Sequence, residues 1–174
     1  AFGVGFFRAA SAAGTANAVR WAIEAGYIHI DTAAVYKNEE SVGQGIRDAS
    51  VAREKLFVTT KLWNDDMRAH KQLEAIDTSL KKLQMDYVYL YLIHWPVENY
   101  LESWTAMEKI LASGKARAIG VSNFLPHHLD ALLAQATVAP AVNQVALPPY
   151  LSQRPLRRYC IDKAIATEAG RPPG

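Results

Sequence analysis

Four residues that can move or hold a proton stand at the ends of strand-like segments in this sequence. Asp31 ends a short run of alternating apolar residues, and Tyr36 follows it five residues later. Lys61 ends a second apolar run, and His94 directly follows a third. In parallel α/β barrels the chemistry takes place at the C-terminal ends of the strands. The spacing therefore predicts that a carboxylate, a phenol, an ammonium group and an imidazole meet at one rim.

Such a group of side chains suits the protonation of a carbonyl oxygen. A phenol has a pKa near ~10, and a neighbouring ammonium group lowers that pKa. Lys61 would supply this ammonium group, and Asp31 would hold it by a charge-assisted hydrogen bond. Tyr36 would then act as a general acid, while His94 would donate a hydrogen bond to the same oxygen. The carbon must receive a nucleophile, and hydride from a reduced nicotinamide is the natural candidate.

Each of these residues also has an ordinary structural interpretation. Asp31 alone could cap a loop or helix, and Tyr36 could be an aromatic residue of the rim. Lys61 alone could be a surface charge, and His94, which precedes Trp95 and a proline, could be a core residue with satisfied hydrogen bonds. The coincidence of four such residues at successive strand ends is what favours a catalytic site.

The elements that would position these residues form a regular series. Apolar runs of strand length alternate with segments of helical periodicity, which is typical of βα units in a parallel sheet. The predicted strands cover residues 3–7, 27–31, 56–61, 87–93, 116–121, 141–145 and, as the start of a seventh, 164–167. The first predicted helix ends near residue 24. The other predicted helices cover residues 38–47, 69–83, 104–111, 126–135 and 156–163.

The series predicts one α/β domain over residues 1–174, a (β/α)8 TIM barrel that is incomplete. A complete barrel of this kind takes about 250 residues and seldom fewer than about 200. The chain has 174 residues and supplies six to seven βα units. Either the sequence omits parts of a longer protein, or the barrel itself lacks a unit.

Composition excludes several other classes of protein. The net charge is +2 from 19 basic and 17 acidic residues, and the charges are mixed along the chain, which argues against a nucleic-acid-binding face. The apolar runs are of strand length, so no membrane span is expected. The single cysteine, Cys160, excludes an internal disulfide and fits a reducing compartment, so we expect a cytoplasmic protein.

Familiar motifs of other enzymes are missing from the sequence. No GxGxxG follows a strand, and neither a phosphate-binding P-loop nor a GxSxG nucleophile motif is present. His127 and His128 lack metal-ligand spacing with any other candidate, so no metal site is expected. A Rossmann dehydrogenase, a P-loop enzyme and an α/β-hydrolase are thereby excluded.

Four segments identify a resemblance that covers nearly the whole chain. GYIHIDTAAVYKNEESVG, LFVTTKLW, YLIHWP and IGVSNF resemble the signature segments of the aldo-keto reductases, in the same order and at compatible spacing. The stretches 33–43 and 53–62 are most similar to the branch of prostaglandin F synthase and 2,5-diketo-D-gluconate reductase. The resemblance implies a (β/α)8 barrel that reduces small aldehydes or ketones with NADPH, and we expect a monomer.

The resemblance also implies roles for individual residues. The implied catalytic tetrad consists of Asp31, Tyr36, Lys61 and His94. The implied cofactor-binding residues are Asp31 together with Ser122, Asn123 and Gln144, the last three holding the nicotinamide carboxamide. The implied substrate pocket is lined by Phe7, Trp63 and Trp95.

The sequence departs from the family pattern near its end. After Glu168 and Ala169 the family usually has an aromatic residue that stacks on the nicotinamide, whereas Gly170 stands here. Tyr89 occupies a position where aspartate is common. These departures leave two alternatives to the reductase: a non-catalytic, nicotinamide-binding sensor or scaffold domain, and a fragment without function of its own.

Overall fold

The computed structural model describes residues 3–5, 12–147 and 152–170. Seven strands alternate with helices in these ranges. The strands are β1 (Gly3–Gly5), β2 (His29–Asp31), β3 (Phe57–Leu62), β4 (Val88–Ile93), β5 (Ala116–Ser122), β6 (Val142–Ala146) and β7 (Ala166–Gly170). The helices are α1 (Ala12–Glu24), α2 (Glu39–Asp48), α3 (Asn64–Arg68), α4 (Gln72–Leu83), α5 (Tyr100–Ala112), α6 (Pro126–Leu133) and α7 (Arg154–Asp162). Short 3₁₀ turns cover Ala34–Tyr36 and Arg53–Lys55.

The seven strands form one parallel sheet in chain order, from β1 at one edge to β7 at the other. Every strand pairs in parallel with the next, so the C-terminal ends of all seven lie at the same rim. In the described residues no strand joins β7 to β1. The prediction of an incomplete (β/α)8 barrel is confirmed.

Strand β4 illustrates how the sheet is buried. Its sequence VYLYLI is almost continuously apolar, as expected of a parallel strand covered on both faces. Five of its six residues are buried, and Tyr91 and Ile93 belong to the same hydrophobic cluster as Trp104 and Met107 of α5. The exception is Tyr89, which is exposed and packs its ring on Phe57 at a centroid distance of 4.2 Å.

Two of the differences between the predicted and the observed elements have a clear cause in the backbone. The predicted helix 69–83 corresponds to α4, which begins only at Gln72 because His70 takes a positive φ of 56°. That residue separates α4 from the short helix α3, which the sequence did not predict. The seventh strand begins at Ala166 rather than at Ala164, whose φ of 56° belongs to the turn that ends α7. The strand continues to Gly170 and places Glu168 inside the sheet, opposite Gln144. No helix of the described ranges is long and apolar enough to cross a membrane.

Two glycines allow α2 to pack closely between its neighbours. A Cβ atom on Gly43 would collide with the backbone carbonyl of Leu83 at the end of α4. A Cβ atom on Gly45 would collide with the carbonyl oxygen of Ala16 in α1. Since both obstacles are backbone atoms, no change of rotamer can relieve the contact. The sequence GQG therefore sets how near α2 approaches the two adjacent helices.

Gly43→Ala is expected to lower the free energy of unfolding by about 2 kcal/mol, because overpacking typically costs about 1–3 kcal/mol. This cost of overpacking is larger than the stabilisation of about 0.5–1 kcal/mol that alanine gives a helix interior relative to glycine. Urea unfolding followed by circular dichroism measures the difference. Glu40→Ala, at an exposed position of the same helix, serves as the control and should stay within about 0.5 kcal/mol of the wild type. A Gly43→Ala variant as stable as the wild type would contradict the packing.

Candidate active site

A buried ion pair forms the centre of the site. Lys61 of β3 places its Nζ 2.6 Å from Oδ1 of Asp31, the last residue of β2, and also donates to the backbone carbonyl of Thr32 at 2.9 Å. The lysine side chain is 1% exposed, and that of Asp31 is 16% exposed. Removing an ammonium group from water costs free energy unless the group is paired with an opposite charge and hydrogen-bonded. The position of Lys61 therefore depends on Asp31 and on the chain that follows it.

Tyr36 and His94 complete the group. Tyr36 ends the 3₁₀ turn that follows β2, and the Nζ of Lys61 lies 5.5 Å from the centroid of its ring. The ring of His94, just after β4, meets the Tyr36 ring edge-on at a centroid distance of 5.9 Å. The four residues that the sequence placed at one rim thus lie together. Their catalytic roles stay predictions.

His94 is held in its neutral form. Its residue surface is 8% exposed, and its Nδ1 is buried with no hydrogen-bond partner among the described residues. Burial, together with the positive charge of Lys61 and against the opposing effect of Asp31, lowers the pKa of His94 to about 4. At neutral pH the imidazole can therefore donate one hydrogen bond and accept one, but it carries no charge.

This shift predicts a specific dependence of stability on pH. The folded-state pKa of about 4 lies below the ordinary value of 6.5, so the unfolded chain binds the proton first as the pH falls. His94 should therefore destabilise the fold progressively between about pH 6.5 and 4, by about 2–3 kcal/mol at pH 4.5. Urea unfolding of the wild type and of His94→Gln at pH 7 and 4.5 measures this contribution. An equal loss of stability in both proteins would contradict it.

The three predicted carboxamide-binding residues lie next to one another: Ser122 ends β5, Asn123 follows it, and Gln144 lies on β6. The Nδ2 of Asn123 donates to the backbone carbonyl of His94 at 3.0 Å and to the hydroxyl oxygen of Ser122 at 3.1 Å. That hydroxyl in turn donates to the carbonyl of Gln144 at 2.9 Å. Asn123 takes a left-handed φ of 63°, a conformation that asparagine tolerates better than most residues. These bonds join the ends of β4, β5 and β6.

Gln144 connects this group to the ion pair. Its Nε2 donates to Oδ2 of Asp31 at 2.9 Å and to Oε1 of Glu168 at 2.7 Å. An amide nitrogen has two hydrogens, so these two bonds use both. The N–H and O–H groups of Ser122, Asn123 and Gln144 are thus all directed at the protein itself. What the three side chains can still offer to a ligand is oxygen acceptors.

The described part of the predicted substrate pocket is aromatic. The ring of Trp63 meets the His94 ring edge-on at a centroid distance of 5.2 Å. The ring of Trp95 lies nearly parallel to the His94 ring at a centroid distance of 6.5 Å. Trp95 is 44% exposed, so its surface is open to a ligand. Trp63 also lines a cleft of about 890 Å³ beside α3 and α4, which none of the four tetrad residues borders. Phe7 lies outside the described residues.

Sequence reasoning missed the contribution of Glu168 and His29. Glu168 pairs in register with Gln144, and His29 Nε2 lies 3.9 Å from Oε1 of Glu168 and 3.1 Å from the hydroxyl of Thr59. Potential ligand atoms of His29, Asp31 and Glu168 come within 4.8 Å of one another, but the amide of Gln144 already bonds both carboxylates. The signal was available, since His29 precedes Asp31 by two residues and so shares its face of the strand.

Comparison with known proteins identifies the family. The model of the Aldo/keto reductase family matches residues 2–172. The chain belongs to the aldo/keto reductase family. It is 52% identical over 173 residues to the 9,11-endoperoxide prostaglandin H2 reductase of Trypanosoma cruzi and 50% identical over 172 residues to the glyoxal reductase of Bacillus subtilis. These alignments cover 99% and 98% of the chain, but only 61% and 62% of the two relatives.

Solved structures of aldo/keto reductases have the same fold. An aldo-keto reductase of Bombyx mori in complex with NADP superposes with a TM-score of 0.92 at 43% identity, covering 96% of this chain and 61% of that one. An aldo/keto reductase from Brucella melitensis gives a TM-score of 0.93 at 45% identity, covering 98% and 67%. The chain thus spans about three fifths of the length of the curated relatives described above. The resemblance predicted from the signature segments is confirmed.

Proposed function

We propose that this aldo/keto reductase is an NADPH-dependent oxidoreductase that reduces the carbonyl group of a small aldehyde or ketone to an alcohol. The observation that carries the proposal is the buried pair of Lys61 and Asp31 beneath the ring of Tyr36. A buried lysine that is fixed from two sides and faces a phenol serves no evident packing need. The names of the relatives support the reaction class, since they include a glyoxal reductase and methylglyoxal reductases.

The residues present fit a nicotinamide carboxamide. Gln144 and Asn123 have committed their N–H groups to protein acceptors, which leaves their amide oxygens for a ligand. A carboxamide carries an NH2 group that such oxygens can accept from. The relative from Bombyx mori, solved in complex with NADP, supports this choice of cofactor. When bound, the reduced nicotinamide supplies hydride to the carbonyl carbon.

The protein's own residues would supply the proton. Tyr36 donates its phenolic proton to the carbonyl oxygen, which becomes the hydroxyl group of the alcohol. Lys61 stabilises the resulting phenolate by its positive charge, and Asp31 keeps the ammonium group in place. His94 is neutral, so it can donate a hydrogen bond to the same oxygen without adding charge that would repel Lys61. The exposed ring of Trp95 offers an apolar surface for the substrate.

The aromatic residues Trp63 and Trp95 suit a small aldehyde or ketone with an apolar part. A role with nucleic acid is not expected, because the net charge is only +2 and the charges are mixed. The monomeric state, the cytoplasmic location and the single domain stay predictions.

Binding and turnover of NADPH test the proposal. Cofactor fluorescence should change on titration with the protein, and the absorbance of the reduced nicotinamide should then fall only when a carbonyl compound such as methylglyoxal or an aromatic aldehyde is added. Binding without turnover would overturn the reductase and favour the non-catalytic nicotinamide-binding domain. Absence of binding to the folded protein would contradict both.

A further inference from the structure

Glu168 occupies a position from which it can decide the orientation of the Gln144 amide. The carboxylate faces Gln144 across paired strands β6 and β7, where the two residues are register partners. Its Oε1 accepts from Nε2 of Gln144 at 2.7 Å. On the other side Oδ2 of Asp31 accepts from the same nitrogen at 2.9 Å. An ionised carboxylate can accept hydrogen bonds but cannot donate one. The nitrogen of the amide, and not its oxygen, must therefore lie between the two carboxylates.

The oxygen of the Gln144 amide therefore points away from the two carboxylates. The Oε1 of Gln144 lies on the side of Gly170, where a Cβ atom would approach it to 3.4 Å and approach Cγ of the same side chain to 3.3 Å. Because Gly170 has no Cβ atom, its side chain does not cover this oxygen. The amide oxygen of Gln144 accepts no hydrogen bond from the residues that the structure describes. The site therefore holds an acceptor that none of the described residues uses.

We propose that Glu168 is a positioning residue that holds Gln144 with its amide oxygen outward, so that the site selects a ligand carrying an amide NH2 donor over one that lacks it. The inference rests on the proposed function, in which this ligand group is the carboxamide of NADPH. Asp31 alone cannot fix the orientation as firmly, because it also binds Lys61 through its other oxygen. With Glu168 ionised, an amide flip would place an oxygen against two carboxylates and is strongly disfavoured.

The variant Glu168→Gln removes this control with almost no change of shape. A glutamine can donate or accept, so the Gln144 amide can then adopt either orientation. We expect the dissociation constant of NADPH to rise about 5-fold to 10-fold, the effect of one hydrogen bond. The probe for the mechanism is the reduced 3-acetylpyridine analogue of NADPH, whose methyl ketone has no NH2 group. Its dissociation constant should change less than about 2-fold, because it never used the acceptor.

A control on the same strand separates positioning from damage to β7. Thr167 neighbours Glu168, and its hydroxyl is buried without a hydrogen-bond partner among the described residues. Thr167→Val should leave the dissociation constants of both cofactors unchanged. Equal weakening of NADPH and of the analogue by Glu168→Gln would overturn the inference, as would unchanged binding of both. Failure of the folded wild-type protein to bind NADPH would instead refute the proposed function and this inference with it.

Discussion

Tyr36→Phe is expected to reduce the rate of carbonyl reduction by about 10²-fold to 10⁴-fold, the usual contribution of a general acid. The substitution deletes one oxygen atom and keeps the ring that contacts His94 at 5.9 Å and lies 5.5 Å from the Nζ of Lys61. Cofactor binding and the fold should therefore change little. Steady-state kinetics with NADPH and an aldehyde, together with fluorescence titration of NADPH, measure the two effects separately.

A second tyrosine provides the matched control for this result. Tyr89 is exposed and lies on β4. Tyr89→Phe removes the same atom from a position outside the site and should leave the rate within about 2-fold of the wild type, since such exposed substitutions seldom disturb the fold. If Tyr36→Phe retained the full rate, the proton would have to come from another group, and the proposed mechanism would be wrong.

Lys61→Met is expected both to abolish turnover and to destabilise the protein by about 3 kcal/mol. Methionine has a similar length but no charge, so the carboxylate of Asp31 loses a partner at 2.6 Å in a largely buried site. Removing one member of a buried ion pair typically costs about 3–5 kcal/mol, because the other charge remains without compensation. The value here lies at the lower end, since Gln144 still donates to Asp31. Urea unfolding at neutral pH measures the loss.

The double variant Lys61→Met/Asp31→Leu separates stability from catalysis. Replacing both charges by apolar groups removes the uncompensated carboxylate, so much of the lost stability should return. Turnover should stay abolished, because the phenol of Tyr36 then has no ammonium group beside it. A surface pair gives the comparison: Lys115→Met breaks the ion pair with Asp77 and should cost less than about 1 kcal/mol. Recovery of activity in the double variant would contradict the role of Lys61.

The arrangement of the site follows from the parallel sheet. Because β2, β3 and β4 are adjacent and point the same way, Asp31, Lys61 and His94 leave their strands at the same rim. Asp31 and Thr59 are register partners, which puts Lys61 two residues further along the same face of β3. A lysine side chain is long enough to reach back to the end of β2 from there. The ion pair is therefore a direct product of strand register.

Much of the fold and of the candidate site could be predicted from the amino-acid sequence. Strand-length apolar runs ending on Asp31, Lys61 and His94 indicated a parallel α/β sheet, and the structure has seven such strands in chain order. Local patterns suffice for this purpose, because the period of apolar residues and the chemistry of the strand ends depend on neighbours in the chain. The signature segments, which carry both the pattern and the residue types, identified the aldo/keto reductase family.

Only the tertiary structure decided how the polar groups share their hydrogen bonds. The resemblance implied that Ser122, Asn123 and Gln144 hold the nicotinamide carboxamide. The structure adds that the N–H and O–H donors of their side chains are occupied by the protein. Glu168 became part of the site because β7 continues to Gly170, beyond the residues predicted as its start. Both outcomes depend on pairing between strands and on which partner an amide meets across the sheet. Contacts between residues 113 positions apart, such as Asp31 and Gln144, leave no local pattern in the chain.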